Sequence, residues 1–264
     1  MAQYNFQKLA TPFVLRLQKR FRLFPQGLCL ITGAPRSGTS ALCEWLGIHS
    51  AVSSFPESRI LVSVHAFLEE ALRFKNLQVN SDEIVGLARN LVQDYYSTER
   101  VLMGKNLVVD KEPLEPIAFP SKEYRRFIVC FRRLFPNAKL LFAIRDPIAT
   151  IWSMSQRAWG ESLTVPDARC FSLEEYIENW CACAELVSTY TDVEKVYVVQ
   201  FGRLVRDADN ESKRILDFLG LRMETPFQPR RTHEIGFGSN DLEKIQQSTA
   251  PYLENLRQRG ITDL

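Results

Sequence analysis

Residues 31–42 read ITGAPRSGTSAL, one residue away from the nucleotide-binding phosphate loop G-x-x-x-x-G-K-[ST]. Gly33, Gly38 and Ser40 fill the motif's positions, and Thr39 stands where the lysine belongs. That lysine reaches the β- and γ-phosphates of ATP, so its replacement bears on which anion the loop holds. Upstream, GLCLITGAP (27–35) is a short apolar run ended by glycine and proline, the pattern of a buried parallel strand. Downstream, TSALCEWLGIH (39–49) reads as a helix. Strand, Gly-rich loop and helix follow in the order that a phosphate loop requires.

The same alternation continues along the chain. NLVVDKEP is expected to hold a second strand ending at Asp110, AKLLFAIRDP a third ending at Arg145, and KVYVVQFGRL a fourth. Pro147 suits a first helical position behind an Asp146 N-cap. Ser172 and Glu175 have capping-box spacing at the head of a long amphipathic helix, and Gly220 closes the helix of ESKRILDFLGL. After SSFPES, taken as a loop, the apolar residues from Ile60 to Leu72 recur at helical spacing, which places Glu57 in that helix's first turn. The expected fold is α/β, a P-loop-type three-layer α/β/α arrangement with a central parallel sheet. Its ligand belongs at the carboxyl ends of the strands, where the loops at 33–40, 110–113 and 145–147 converge.

Composition narrows the function classes. The 264 residues are 45% hydrophobic and 24% charged, ordinary for one globular domain. A net charge of +2 is too balanced for nucleic acid as the main partner. Before Glu44 the chain has no acidic residue, while Lys8, Arg16, Lys19, Arg20 and Arg22 are basic. A short amphipathic helix carrying Phe13, Val14 and Leu17 is favoured there over a transit peptide or membrane-surface helix. No apolar run approaches the roughly 18 residues of an integral membrane segment, and the protein is expected to be cytoplasmic. The six cysteines include no C-x-x-C pair, and His49, His65 and His233 have no ligand spacing, so no metal site is expected.

In the loop itself, the missing cation after Gly38 is replaced by Arg36 in mid-loop. Its planar fork suits an oxyanion pair, so a diphosphate, or a phosphate joined to another tetrahedral anion, fits better than a triphosphate. GAPRSGTS resembles the 5′-phosphosulfate loop, P-[RK]-S-G-T-[ST], of the sulfotransferases that use 3′-phosphoadenosine 5′-phosphosulfate (PAPS). IRDPIATIWS resembles that family's 3′-phosphate signature, an arginine at a strand end and a serine eight residues later, here Arg145 and Ser153. VVDKEP resembles the family's D-K-[ST]-P segment. VVQFGRLVRDADNESKRILDFLGL resembles its Y-E-D-L…FLGL stretch, with Phe201 and Gly202 in place of Tyr-Glu.

The resemblance implies PAPS as donor, the desulfated product 3′-phosphoadenosine 5′-phosphate (PAP), and no required metal. It implies cofactor contacts from Ala34, Pro35, Arg36, Ser37, Gly38, Thr39, Ser40, Arg145, Ser153 and Phe201. Arg230 or Arg231, in the late basic stretch FQPRRTHEIGFGSNDLEKI, would close over the 3′-phosphate, unless this is a solvent-facing loop. Residues 1–264 form a single domain on this reading, with 1–26 a basic helical extension and 222–264 a cofactor-covering loop and helix. Arg36 and Lys111 are candidates to meet charge on the leaving group; the competing reading pairs Lys111 with Glu112 or Glu115 on a solvated loop. Glu57 is the leading general base, as in the carbohydrate-type branch, or else a first-turn acid favoured by the helix dipole. His65 is the rival base.

The expected reaction is sulfuryl transfer to a hydroxyl or amine of a polar small molecule, natural product or carbohydrate. The alternative is an ATP-dependent small-molecule kinase, with Asp110 and Ser40 as Mg²⁺ ligands. A further class is a nucleotide-binding module without catalysis. Trp152, Met154, Trp159 and Trp180 either line an acceptor pocket or belong to the core.

Overall fold

The computed structural model describes residues 27–73, 81–97, 105–117, 120–157, 159, 171–229 and 235–264. In chain order the elements are β1 (Gly27–Gly33), α1 (Thr39–Ile48), β2 (Val52–Pro56), α2 (Ile60–Arg73) and α3 (Ser81–Ser97). They continue with β3 (Leu107–Lys111), α4 (Tyr124–Leu134), β4 (Lys139–Ile144), α5 (Pro147–Ser155) and α6 (Leu173–Tyr190). The chain then forms β5 (Val196–Gln200), α7 (Phe201–Arg206), α8 (Ala208–Leu219) and α9 (Ser239–Gln258). The basic segment 1–26 and the pair Arg230 and Arg231 lie outside the described residues. Among the described residues no helix is long and apolar enough to cross a membrane.

The strands form a five-stranded sheet in the order β2-β3-β1-β4-β5, parallel throughout. Side chains alternate between its faces, which divides the core in two. Leu28, Leu30, Val108, Leu140 and Phe142 point to the layer of α2, α3, α4, α5, α6 and α9. Cys29, Ile31, Val109 and Leu141 point to α1, α7 and α8. Leu30 and Ile31 are both 0% exposed, on opposite faces. Each such burial contributes about 1.5–3 kcal/mol, so β1 has to be apolar on both sides. From β1 the chain runs outward past β3 to β2, returns to β3 and then crosses to β4 on the other side of β1, so the winding reverses beside the carboxyl end of β1, where a crevice opens.

The three-layer α/β/α architecture is the expected one, with one strand more. Residues 52–56 are not a plain loop but β2, paired with β3 from Val52 opposite Leu107 to Pro56 opposite Lys111. Two serines and a proline hide this strand from a pattern search. They are tolerated because β2 is an edge strand among the described residues. Cys29, Cys43, Cys181 and Cys183 are buried free thiols, and burial pushes Cys29 up to about 12, consistent with packing rather than ligation. Met154, Trp159 and Trp180 likewise belong to the core, while Trp152 is half-buried against Phe237, ring centroids 4.9 Å apart.

Local signals act where they stand in the sequence. Ser172 and Glu175 complete a capping box, and Gly220 ends α8 in the left-handed conformation. Asp146 accepts from the Ala149 N–H at 2.8 Å with Pro147 behind it, fixing the start of α5 beside Arg145. Asp146→Ala should therefore lower unfolding stability by about 1 kcal/mol. In urea titrations the midpoint should fall with the slope unchanged.

Candidate active site

At the end of β1 the chain turns through Ala34–Gly38 and enters α1. The turn is closed by Ser37, whose N–H and hydroxyl both donate to the Ala34 carbonyl, at 3.2 and 2.6 Å. Arg36 (φ 68°) and Gly38 (φ 99°) are both left-handed. Gly38 occupies the N-cap position and offers no side chain to the first turn, so the amides of Thr39 and Ser40 keep their donors for a ligand. A side chain at position 38 would also strike the Phe201 ring, 2.2 Å from where its Cβ would stand. Ala34, Pro35, Ser37 and Thr39 are buried, whereas Arg36 and Ser40 face outward.

Two arginines and a serine from three separate segments meet at this turn. Arg36 Nε donates to Ser153 Oγ on α5 at 2.9 Å. Arg145, leaving β4, donates to the Arg36 carbonyl at 3.3 Å and lies 5.3 Å from the centre of the Phe201 ring. Burial, with Arg157 adding repulsion, lowers the Arg36 pKa. Burial also lowers Arg145, with Asp146 opposing and Arg36 assisting. Partly desolvated guanidinium groups in such proximity are suited to bind anionic oxygens, which return the charge compensation lost with water. Sequence spacing pairs Arg145 with Ser153; the fold adds Arg36 to the same cluster.

A second group forms where β2 and β3 end. Lys111, with a side chain only 5% exposed, donates to Ser40 Oγ at 2.9 Å and forms a close ion pair with Glu57 Oε1. Glu57 lies at the end of the β2 edge, its N–H bonded to the Lys111 carbonyl at 3.0 Å. This corrects its expected placement in the first turn of a helix: α2 starts at Ile60, behind the left-handed residues Glu57 (φ 61°) and Arg59 (φ 60°). The helix dipole thus gives no account of why a carboxylate is here. Lys111 is not paired with Glu112 or Glu115 on a solvated loop either. Those carboxylates are taken by Arg59, through its N–H to Glu112 Oε1 at 2.5 Å and its guanidinium to Glu115 at 2.6 Å.

Asp110 and Lys111 are consecutive and point to opposite faces of the sheet. Asp110, 0% exposed, accepts from the Ser58 hydroxyl at 2.5 Å and from the Tyr96 hydroxyl of α3. Burial raises its pKa, and these hydrogen bonds oppose the shift. Ser58, Arg59 and Tyr96 escape a motif search. The signal present in LVVDK was the alternation itself, which sends two adjacent charges to different layers. His65 lies on the buried face of α2, its ring edge-on to Phe127 at 5.7 Å. Burial lowers its pKa, and the charges acting on it are Glu69, Glu123 and Arg126. The fold brings Ser40, Lys111 and Glu57 together and leaves His65 in the packing between α2 and α4.

Residues 29–225 match the family model described as "Sulfotransferase family". Protein-tyrosine sulfotransferase 1 of Danio rerio is 23% identical over 249 residues, 92% of this chain and 65% of the relative. The nodulation protein NoeE of Sinorhizobium fredii is 25% identical over 218 residues, 73% of this chain and 50% of the relative. The chain thus spans about half to two thirds of the length of these curated relatives. The crystal structure of a sulfotransferase from Alicyclobacillus acidocaldarius shares the fold, with a TM-score of 0.56 and 18% identity over 87% of this chain and 94% of that one.

The acidic cluster carries its own pH signature. Burial, with Asp110 adding and Arg59 opposing, raises the Glu112 carboxyl from its ordinary 4.5 to about 8. Between those values the native state retains a proton that the unfolded chain releases, so stability falls as pH rises through that window. Glu112→Gln lacks this titration. Urea unfolding at about pH 5 and pH 8.5 should show the wild type losing stability, relative to this variant, as pH rises. A pH-independent difference would remove Glu112 from this role.

Proposed function

The chain belongs to the sulfotransferase family, and we propose that it transfers the sulfuryl group of PAPS to a hydroxyl or amine of a polar small molecule, natural product or carbohydrate. The observation that carries this reading is Lys111, whose ammonium touches both Ser40 of the phosphate loop and Glu57. One cation thereby joins the place for a leaving phosphate to the place for an acceptor proton.

The residues present fit PAPS. Bound there, PAPS supplies a sulfuryl group joined through oxygen to a 5′-phosphate, with PAP as the product. The amides and hydroxyls of Ser37–Ser40 would hold the phosphosulfate, assisted by Arg36. Arg145 and Ser153 would hold the 3′-phosphate, against the Phe201 ring. Residues 222–264, with Arg230 or Arg231, would cover it; Phe237 on Trp152, next to Ser153, supports that position. Glu57 accepts the proton of the acceptor as its oxygen or nitrogen bonds to sulfur. Lys111 and Arg36 meet the charge left on the phosphate oxygen when the sulfur–oxygen bond breaks. Each part needs position more than reactivity, and the sheet edge provides it. No step is assigned to a metal.

The kinase alternative needs Asp110 next to Ser40. Asp110 instead faces the other layer, engaged by Ser58 and Tyr96, while Lys111 occupies Ser40. The printed name of the Danio rerio relative gives protein tyrosine as its acceptor. Tyrosyl peptides therefore belong beside saccharides, phenols and amines in an acceptor screen.

Calorimetry with PAP, and separately with ATP and Mg²⁺, tests the donor. PAP should bind, and binding of ATP alone would overturn the proposal. Arg145→Ala should weaken PAP by about 10–100-fold while ADP changes far less, since only PAP carries the 3′-phosphate. Equal losses would remove Arg145 from that phosphate. Glu57→Gln should lower kcat by about 10²–10⁴-fold with PAP affinity retained. Unchanged turnover would move the base elsewhere.

A further inference from the structure

The residue after β5 that faces the phosphate loop, Phe201, opens a helix too short to hold itself. Residues Phe201–Arg206 are α7, and its N-cap, Gln200, gives the helix no side-chain hydrogen bond. Gln200 Oε1 is committed elsewhere, accepting from the N–H groups of Thr262 at 2.9 Å and Asp263 at 2.8 Å. The Asp263 carbonyl in turn accepts from the Arg203 N–H at 3.2 Å, satisfying an amide that a helix's first turn leaves open. The Asp263 carboxylate pairs with Arg203 Nε at 3.3 Å and closely with Arg206.

The approach is possible because residue 202 is glycine. A Cβ on Gly202 would stand 2.3 Å from the Leu264 carbonyl oxygen and 2.9 Å from that of Asp263. The glycine at 202, where the resemblance has Glu, thus has a steric cause in this chain. The strap itself is anchored: Gly260 is left-handed, and Ile261, 2% exposed, donates to the Leu256 carbonyl at 2.9 Å. At the other end of α9, Gly236 and Phe237 press on Trp152.

We infer that residues 262–264 are a positioning element of the nucleotide site: they cap α7 from outside and hold the Phe201 ring between Gly38 and Arg145. This rests on the nucleotide reading above. The segment acts through Phe201, fixing the corner from which that ring projects. Loosening it lets the ring leave the phosphate loop, so affinity for the nucleotide falls while the sheet stays folded.

Calorimetric titration of PAP into the full chain tests this, with melting temperatures measured alongside. Asp263→Ala, and independently Gly202→Ala, should weaken PAP about tenfold. In the Phe201→Leu background, Asp263→Ala should add nothing further, because the residue it acts through is gone. A merely structural role would lower the melting temperature in both backgrounds and leave PAP affinity in place, overturning the inference. Losses that add across the two backgrounds would overturn it as well. If the wild type binds no PAP, the nucleotide reading fails and this one with it; if the wild type binds PAP and Asp263→Ala binds it equally, only this inference fails.

Discussion

An ammonium sealed from solvent has to be compensated, and much of this site follows from how that is done for Lys111. Its side chain is 5% exposed and contacts Ser40 and Glu57. Breaking a buried pair by removing one partner costs more than the pair itself contributes, so each partner is held to its place by the others. Ser40 is set by the turn into α1, and Glu57 by the pairing of β2 with β3. The Lys111 charge is therefore where the phosphate loop and the edge of the sheet are made to agree.

The rest of the polar network arranges the other charges around that point, with the Arg59 guanidinium 3.6 Å from the second carboxylate oxygen of Glu57. Asp110, next in the chain, is carried to the opposite face and tied to Ser58 and Tyr96. Arg59 draws Glu112 and Glu115 to itself, at 2.5 and 2.6 Å. Two left-handed residues, Glu57 and Arg59, make the turn that sends one side chain to each group. Such strain persists where the surroundings over-determine it.

What was legible in the sequence was what depends on local chemistry. The glycines of the phosphate loop, the Asp146 and Ser172 caps, the Gly220 stop and the strand ending at Arg145 each carry their instruction within a few residues. The α/β alternation follows from short apolar runs, several bounded by glycine or proline, set between stretches of helical period. Less legible was whatever depends on residues distant in the chain. VSSFP is a poor strand by composition and becomes one only because β3 offers it a free edge. Arg59 and Tyr96 meet their acids through tertiary packing, and Gly202 has its reason in residues some sixty positions later. Lys111 and Glu57 were visible as candidates, but the contact of Lys111 with Ser40 was not.

The edge position of β2 also sets where this molecule gives way first. Edge strands open at lower free energy than the centre of a sheet, because one ladder and fewer side chains hold them. Glu57 rides at the end of such a strand, whereas Arg36, Arg145 and Ser153 are held around the central strands β1 and β4. Warming or mild denaturant would accordingly part Glu57 from Lys111 before the core yields. On the roles proposed above, inactivation and unfolding become separate events, with the arginine cluster outlasting Glu57.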